Sequence, residues 1–136
     1  MIPHQFTILI VEDQDLMRRM LRELLQSAYP HALILDADSA ERALELFESH
    51  RPQVVLMDVK LPGTNGVVLS SRLKALLPDT VIIVISQYSA QVYIERAMSA
   101  GAFAYITKDV MYRQLLPTLA RALEPRAQPP GPEQAE

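Results

Sequence analysis

The sequence predicts an α/β domain in which five parallel strands form one sheet, wound on both faces by helices. Two observations carry this. Five short, apolar, β-branched runs alternate with five amphipathic segments, each long enough to hold a helical crossover between parallel strands. The strand runs also lack polar alternation, as expected of strands covered on both sides. The most informative run is Val54–Met57, which follows Pro52 and ends on Asp58. It is too short for a helix, and its terminal acid stands at the sheet edge where open α/β folds bind ligands. From Lys60 to Gly66 the chain then leaves through turn residues Pro62, Gly63, Asn65 and Gly66. Taken alone, Asp58 reads equally well as a cap for the next helix.

The other elements follow in order. Phe6–Val11 (FTILIV) is the first strand and ends on Glu12-Asp13. From Gln14 to Ala28, Met17, Met20, Leu21, Leu24, Leu25 and Ala28 recur on one helical face, leaving Arg18, Arg19, Arg22, Glu23 and Gln26 on a solvated one. Tyr29-Pro30 stops that helix. Ala32–Ala37 is the second strand. Ser39 caps a helix to Ser49 with Ala40, Ala43, Leu44 and Phe47 inward. Asn65 caps a third helix to Leu77, with Val68, Leu69, Leu73 and Leu76 inward. Thr80–Ile85 is the fourth strand, followed by Ser86. Ser89 caps a helix to Ala100, which Gly101 closes. Phe103–Ile106 is the fifth strand, and Thr107-Lys108-Asp109 leads to a last helix ending at Leu123, with Leu115, Leu119 and Ala122 inward. Pro117 falls inside it at a cost of about 3 kcal/mol, which predicts a late start or a kink. Residues 1–124 form the domain. Residues 125–136 hold four of the ten prolines and almost no apolar side chains, and read as a disordered tail or a linker to a further domain.

Right-handed crossovers leave few topologies, and the flavodoxin-like (βα)5 order 2-1-3-4-5 fits best. It sets the ends of the first and third strands side by side, so Glu12, Asp13 and Asp58 share a pocket with Ser86 and Lys108 across from them.

A net charge of −3 and a pI near 5.6 argue against a nucleic-acid-binding surface on this segment. The absence of cysteine excludes disulfides and thiolate zinc sites. No run approaches the ~18 apolar residues of a membrane helix, and residues 1–11 do not form a signal peptide, so a cytoplasmic location is expected. His4, His31 and His50 lack ligand spacing and read as surface residues. The methionines read as core, and Asp15 as a first-turn helix acid.

Three clustered carboxylates repel one another unless one is protonated or a cation neutralises them. Oxygen-only donors suit Mg²⁺. A serine hydroxyl and a lysine ammonium facing such a cation are the partners a phosphoryl group needs. An aspartate can itself be the nucleophile. The residues therefore read as a Mg²⁺-dependent site that takes a phosphoryl group onto an aspartate.

On these residues the chain resembles a CheY-like response-regulator receiver domain across residues 6–124. The resemblance rests on Glu12-Asp13, Asp58, Pro62 and Gly66, Ser86, and Tyr105 with Lys108, each at its expected strand end. It implies that Asp58 accepts a phosphoryl group from a sensor histidine kinase or phosphotransfer protein. It further implies that Asp13, Asp58 and the Lys60 backbone carbonyl bind Mg²⁺, with Glu12 acting through water. Lys108 then pairs with the phosphoryl group, Ser86 moves toward it, and Tyr105 turns inward behind it. The implied role is a switch that promotes its own phosphoryl transfer and slow hydrolysis, not an enzyme.

Asp109 stands where the family usually has a cis proline, and the Lys108–Asp109 bond is expected to be trans. The stretch YITKD resembles the branch carrying a C-terminal helix-turn-helix output domain, which implies a DNA-binding effector beyond this segment. The family also allows a homodimer, and kinase contact through the first helix and its arginines. Gln87 narrows access to the pocket. Lys60 and Tyr88 flank it, and a cation–π pair between them would slow loss of the phosphoryl group.

Two rivals remain. D-x-D at Asp13 and Asp15 resembles haloacid-dehalogenase-like phosphatases, with Asp13 as nucleophile, although Leu16-Met17 departs from their pattern. A flavodoxin-type cofactor module would need a phosphate loop where this chain has Glu12–Asp15. A receiver-like domain working without phosphorylation fits poorly with the intact acid set.

Overall fold

The computed structural model describes residues 6–124, so the expectations for His4, the first five residues and the tail from 125 to 136 lie outside the described residues. Five strands, β1 (Thr7–Val11), β2 (Leu33–Ala37), β3 (Val54–Asp58), β4 (Val81–Ser86) and β5 (Ala104–Thr107), pair in parallel in the order 2-1-3-4-5. The helices are α1 (Asp15–Ala28), α2 (Ala40–His50), α3 (Gly66–Leu76), α4 (Gln91–Ser99) and α5 (Met111–Leu123), with one 3₁₀ turn over Lys108–Val110.

The sheet splits the core in two, as strand alternation requires. Leu9, Val11, Val55 and Met57 face α2, α3 and α4 through Ala43, Phe47, Leu69, Leu73 and Ala97. Ile8, Ile10, Val54 and Leu56 face α1 and α5 through Leu21, Leu25, Leu115 and Leu119. Each fully buried leucine or isoleucine here contributes roughly 1.5–3 kcal/mol relative to exposure.

Register places the functional strand ends. Val11 lies opposite Met57, and Asp58 opposite Ile85, so β1, β3 and β4 end at one sheet edge. Beyond β3, Lys60–Leu61 and Thr64–Asn65 form a two-residue antiparallel ribbon around Pro62-Gly63, with Gly63 at φ 72°. A positive φ at the second central position is the geometry that favours glycine in such a turn.

Several expectations need correction. In α3 the buried stripe is Gly66, Leu69, Ser70 and Leu73, while Val68 and Leu76 are 57% and 50% exposed. Gly66 sets this rotation. Its N–H donates to the Val59 carbonyl at 2.6 Å, and a Cβ there would lie 2.0 Å from the Asp58 carbonyl oxygen. Backbone proximity, not side-chain hydrophobicity, thus chooses the face. Ser89 does not cap α4; Ala90 holds that position without a side-chain bond. The last helix begins at Met111 and runs through Pro117, which lies with Arg113, whose carbonyl it leaves without a helical partner one turn back, on the exposed side. Arg18 and Arg22 are partly buried in ion pairs with Asp36, whereas Arg19, Glu23 and Gln26 are exposed as the solvated face requires. Ala28 and Met98 are exposed.

Candidate functional site

At the carboxyl edge of the sheet, Glu12 extends β1 by one residue, its N–H donating to the Ala37 carbonyl at 3.0 Å. This pins Glu12 inward, with its side chain only 2% exposed. One carboxylate oxygen accepts from the Gln14 N–H at 3.1 Å, and the other lies 3.2 Å from Lys108 Nζ. Asp13, the next residue, is exposed. Asp58, buried at the end of β3, accepts from the Lys60 N–H at 3.4 Å and from Lys108 Nζ at 3.2 Å. Lys108 leaves β5 directly into the 3₁₀ turn and bridges both buried carboxylates. Glu12, Asp13 and Asp58 each bring one oxygen within 4.8 Å of the others. They border a cleft of about 300 Å³ lined by Asp13, Gln14, Asp58, Lys60, Leu61, Pro62, Gln87, Tyr88 and Lys108.

Charge is crowded here. Burial, reinforced by the neighbouring Asp58 carboxylate, pushes the Glu12 carboxyl up to about 7. Burial pulls the Lys108 ammonium down, but the Asp58 and Glu12 carboxylates outweigh it, so its pKa ends above the ordinary lysine value. One lysine serves two carboxylates, and Asp13 has no ion-pair partner among the described residues. This donor set of three hard oxygens, short of positive charge, fits a small divalent cation.

Of the residues singled out from sequence, Asp13, Asp58, Lys60 and Lys108 line the cleft, and Glu12 sits beneath it. Ser86 and Tyr105 do not line it. Ser86 is fully buried at the end of β4, its hydroxyl accepting from the Tyr88 N–H at 3.0 Å. Tyr105, half-buried, donates its hydroxyl to the Tyr88 carbonyl at 2.5 Å. Tyr88 therefore joins both residues to the cleft wall. Its ring stacks on Tyr93 of α4, centroids 4.8 Å apart, and not on the Lys60 ammonium. All peptide bonds of the described residues are trans, Lys108–Asp109 included.

Sequence reasoning missed the arginine contacts around the acid pair. Arg18 Nη1 donates to the Glu12 carbonyl at 2.9 Å, and Nη2 bonds Asp15 at 2.6 Å. Arg22 Nε bonds Asp36 of β2 at 2.7 Å. The available signal was their spacing, one helical turn apart, opposite the acid that interrupts the apolar second strand.

Comparison with known proteins accords with this geometry. Residues 8–120 match the response regulator receiver domain. The transcriptional regulatory protein PdtaR of Mycobacterium tuberculosis is 35% identical over 118 residues, 85% of this chain and 56% of that protein. The response regulator GacA of Pseudomonas aeruginosa is 32% identical over 109 residues, 80% of this chain and 51% of that protein. This chain spans about half the length of the curated relatives it matches. Among solved structures, the signal receiver domain of a DNA-binding response regulator from Colwellia psychrerythraea aligns at a TM-score of 0.84 and 25% identity, covering 88% of this chain and 99% of that one. The BeF3-activated DrrB receiver domain aligns at a TM-score of 0.79 and 26% identity, covering 88% and 97%. With the strand order, the acidic cluster and these matches in agreement, the chain belongs to the response-regulator receiver domain family, the switch modules of two-component systems.

Proposed function

We propose that Asp58 accepts a phosphoryl group from a phosphohistidine on a sensor histidine kinase or phosphotransfer protein. The observation that carries this is the Asp58 carboxylate held 3.2 Å from Lys108 Nζ at the edge of an open cleft, with Glu12 and Asp13 oxygens within 4.8 Å. An Asp58 oxygen attacks phosphorus, the phosphorus–nitrogen bond breaks, and the donor imidazole keeps that electron pair and takes a proton. Asp13, Asp58 and the Lys60 carbonyl would hold Mg²⁺, Glu12 acting through water, and that ion supplies charge neutralisation for the phosphoryl oxygens. Lys108 trades a carboxylate partner for a phosphoryl oxygen, so its ammonium, already partly buried and paired, undergoes no further desolvation.

The rearrangement runs through Ser86 and Tyr105. Moving the Ser86 hydroxyl toward the phosphoryl group frees the Tyr88 N–H, and Tyr105 holds the same loop through the Tyr88 carbonyl. Gln87 and Tyr88 on the rim restrict water, which supports slow self-hydrolysis of the acyl phosphate. Residues 1–124 act as the receiver unit and 125–136 as the lead into a DNA-binding effector, in keeping with relatives about twice as long. The cytoplasm is the proposed location, and homodimerisation is compatible with this role. Among the described residues no helix is long and apolar enough to cross a membrane.

The test is incubation with acetyl phosphate and intact-mass measurement. Wild type gains one phosphoryl mass with Mg²⁺ and none with EDTA, and Asp58→Asn gains none in either. Mg²⁺-independent labelling, or labelling of Asp58→Asn at the wild-type level, defeats the assignment.

A further inference from the structure

We propose that Arg18 is a positioning residue for the cation site, acting through the backbone of Glu12. This inference rests on the reading of Glu12, Asp13 and Asp58 as a cation site. The Glu12 carbonyl belongs to the peptide that joins Glu12 to Asp13, so its orientation sets where both acids point. Arg18 Nη1 donates to that carbonyl at 2.9 Å. The same guanidinium is held from two further sides, by Asp15 at 2.6 Å and by Asp36 at 3.8 Å. Its side chain is only 17% exposed and its bond to the Glu12 carbonyl is partly shielded from competing water, while Asp15 braces it from the solvent side. The clasp thus anchors the acid pair to α1 and to β2 together.

The need for an anchor follows from the charges. Three carboxylates within 4.8 Å push apart, and Asp13 is the member without a cation partner among the described residues. A loop free to swing Asp13 outward would relieve that repulsion and lose the cation. Fixing the Glu12–Asp13 peptide leaves the donors assembled before the cation arrives.

Arg22 supplies the control. It bonds Asp36 at 2.7 Å and so ties the same helix to the same strand, but makes no bond to the acid pair. The sign of the effect separates positioning from simple charge. Deleting a nearby positive charge strengthens cation binding by Coulomb's law, whereas losing an orienting bond weakens it.

The experiment is calorimetric titration of the full 136-residue chain with MgCl₂, at a temperature where circular dichroism shows every variant folded. Arg18→Met, which keeps the apolar stem, is expected to raise the Mg²⁺ Kd about ten-fold, and Arg22→Met to leave it unchanged or lower it. If Arg18→Met does not fold, Arg18→Lys carries the same comparison, with an expected rise of about three-fold, because an ammonium cannot span the carbonyl and Asp15 together. Binding by the Arg18 variant as tight as wild type, or equal weakening by Arg22→Met, overturns the inference. Wild type that takes up no Mg²⁺ overturns both the inference and the cation-site reading beneath it.

Discussion

Glu12 and Lys108 set the pH behaviour of the site. A carboxyl whose folded pKa is raised from 4.5 to about 7 stays protonated in the folded chain while the unfolded chain has already ionised. The stability it contributes is full below 4.5 and is lost as pH climbs through about 7. Metal-free protein should therefore melt at progressively lower temperature across that window, and Glu12→Gln should flatten the slope. Melting curves in EDTA at several pH values check this, and an unchanged slope in Glu12→Gln would refute it. Mg²⁺ competes with the same proton, so its affinity should rise with pH up to about 7 and then level. Lys108→Met leaves two buried carboxylates facing each other without their shared cation. The expected loss is about 3 kcal/mol above that window and less below it, where Glu12 is neutral. Chemical denaturation at the two pH extremes reads the difference.

Among the elements, α3 carries the sharpest steric demand. Its first residue, Gly66, lies against the carbonyl of Asp58, so the helix abuts the very residue proposed to be phosphorylated. Gly66→Ala forces that peptide or the helix to shift, at about 3 kcal/mol, and should impair acetyl-phosphate labelling as well as lower the melting temperature. Full labelling at wild-type rates would show that the close approach is not needed for function. α5 tests packing alone. Leu119 is fully buried against β-strand residues of the α1–α5 side, and Leu119→Ala should cost about 2–5 kcal/mol by denaturant titration. Labelling at Asp58 should survive wherever that variant is folded.

On the scale of the whole molecule, the sheet order was legible because unbroken apolar runs and right-handed crossovers admit few arrangements. The convergence of Glu12, Asp13, Asp58 and Lys108 came with that order, since Asp58 ends its strand and the other three follow theirs within two residues. What was not legible depended on backbone contacts between distant segments. Val68 looked inward by hydrophobicity, but the Gly66 approach to Asp58 turned the helix away from it. Arg18 looked solvated by its charge, although its partner is a main-chain carbonyl that no residue pattern reveals. Tyr88 was noticed for its place on the pocket rim, while its stack on Tyr93 required the start of α4 in three dimensions. The central claim is that these separate strand ends build one acceptor whose nucleophile is Asp58. Its most direct test is to label wild type with acetyl phosphate and Mg²⁺, trap the acyl phosphate by borohydride reduction, and sequence the peptides by mass spectrometry. The reduced residue is expected at position 58 alone. Recovery of the reduced residue at position 13 would contradict it.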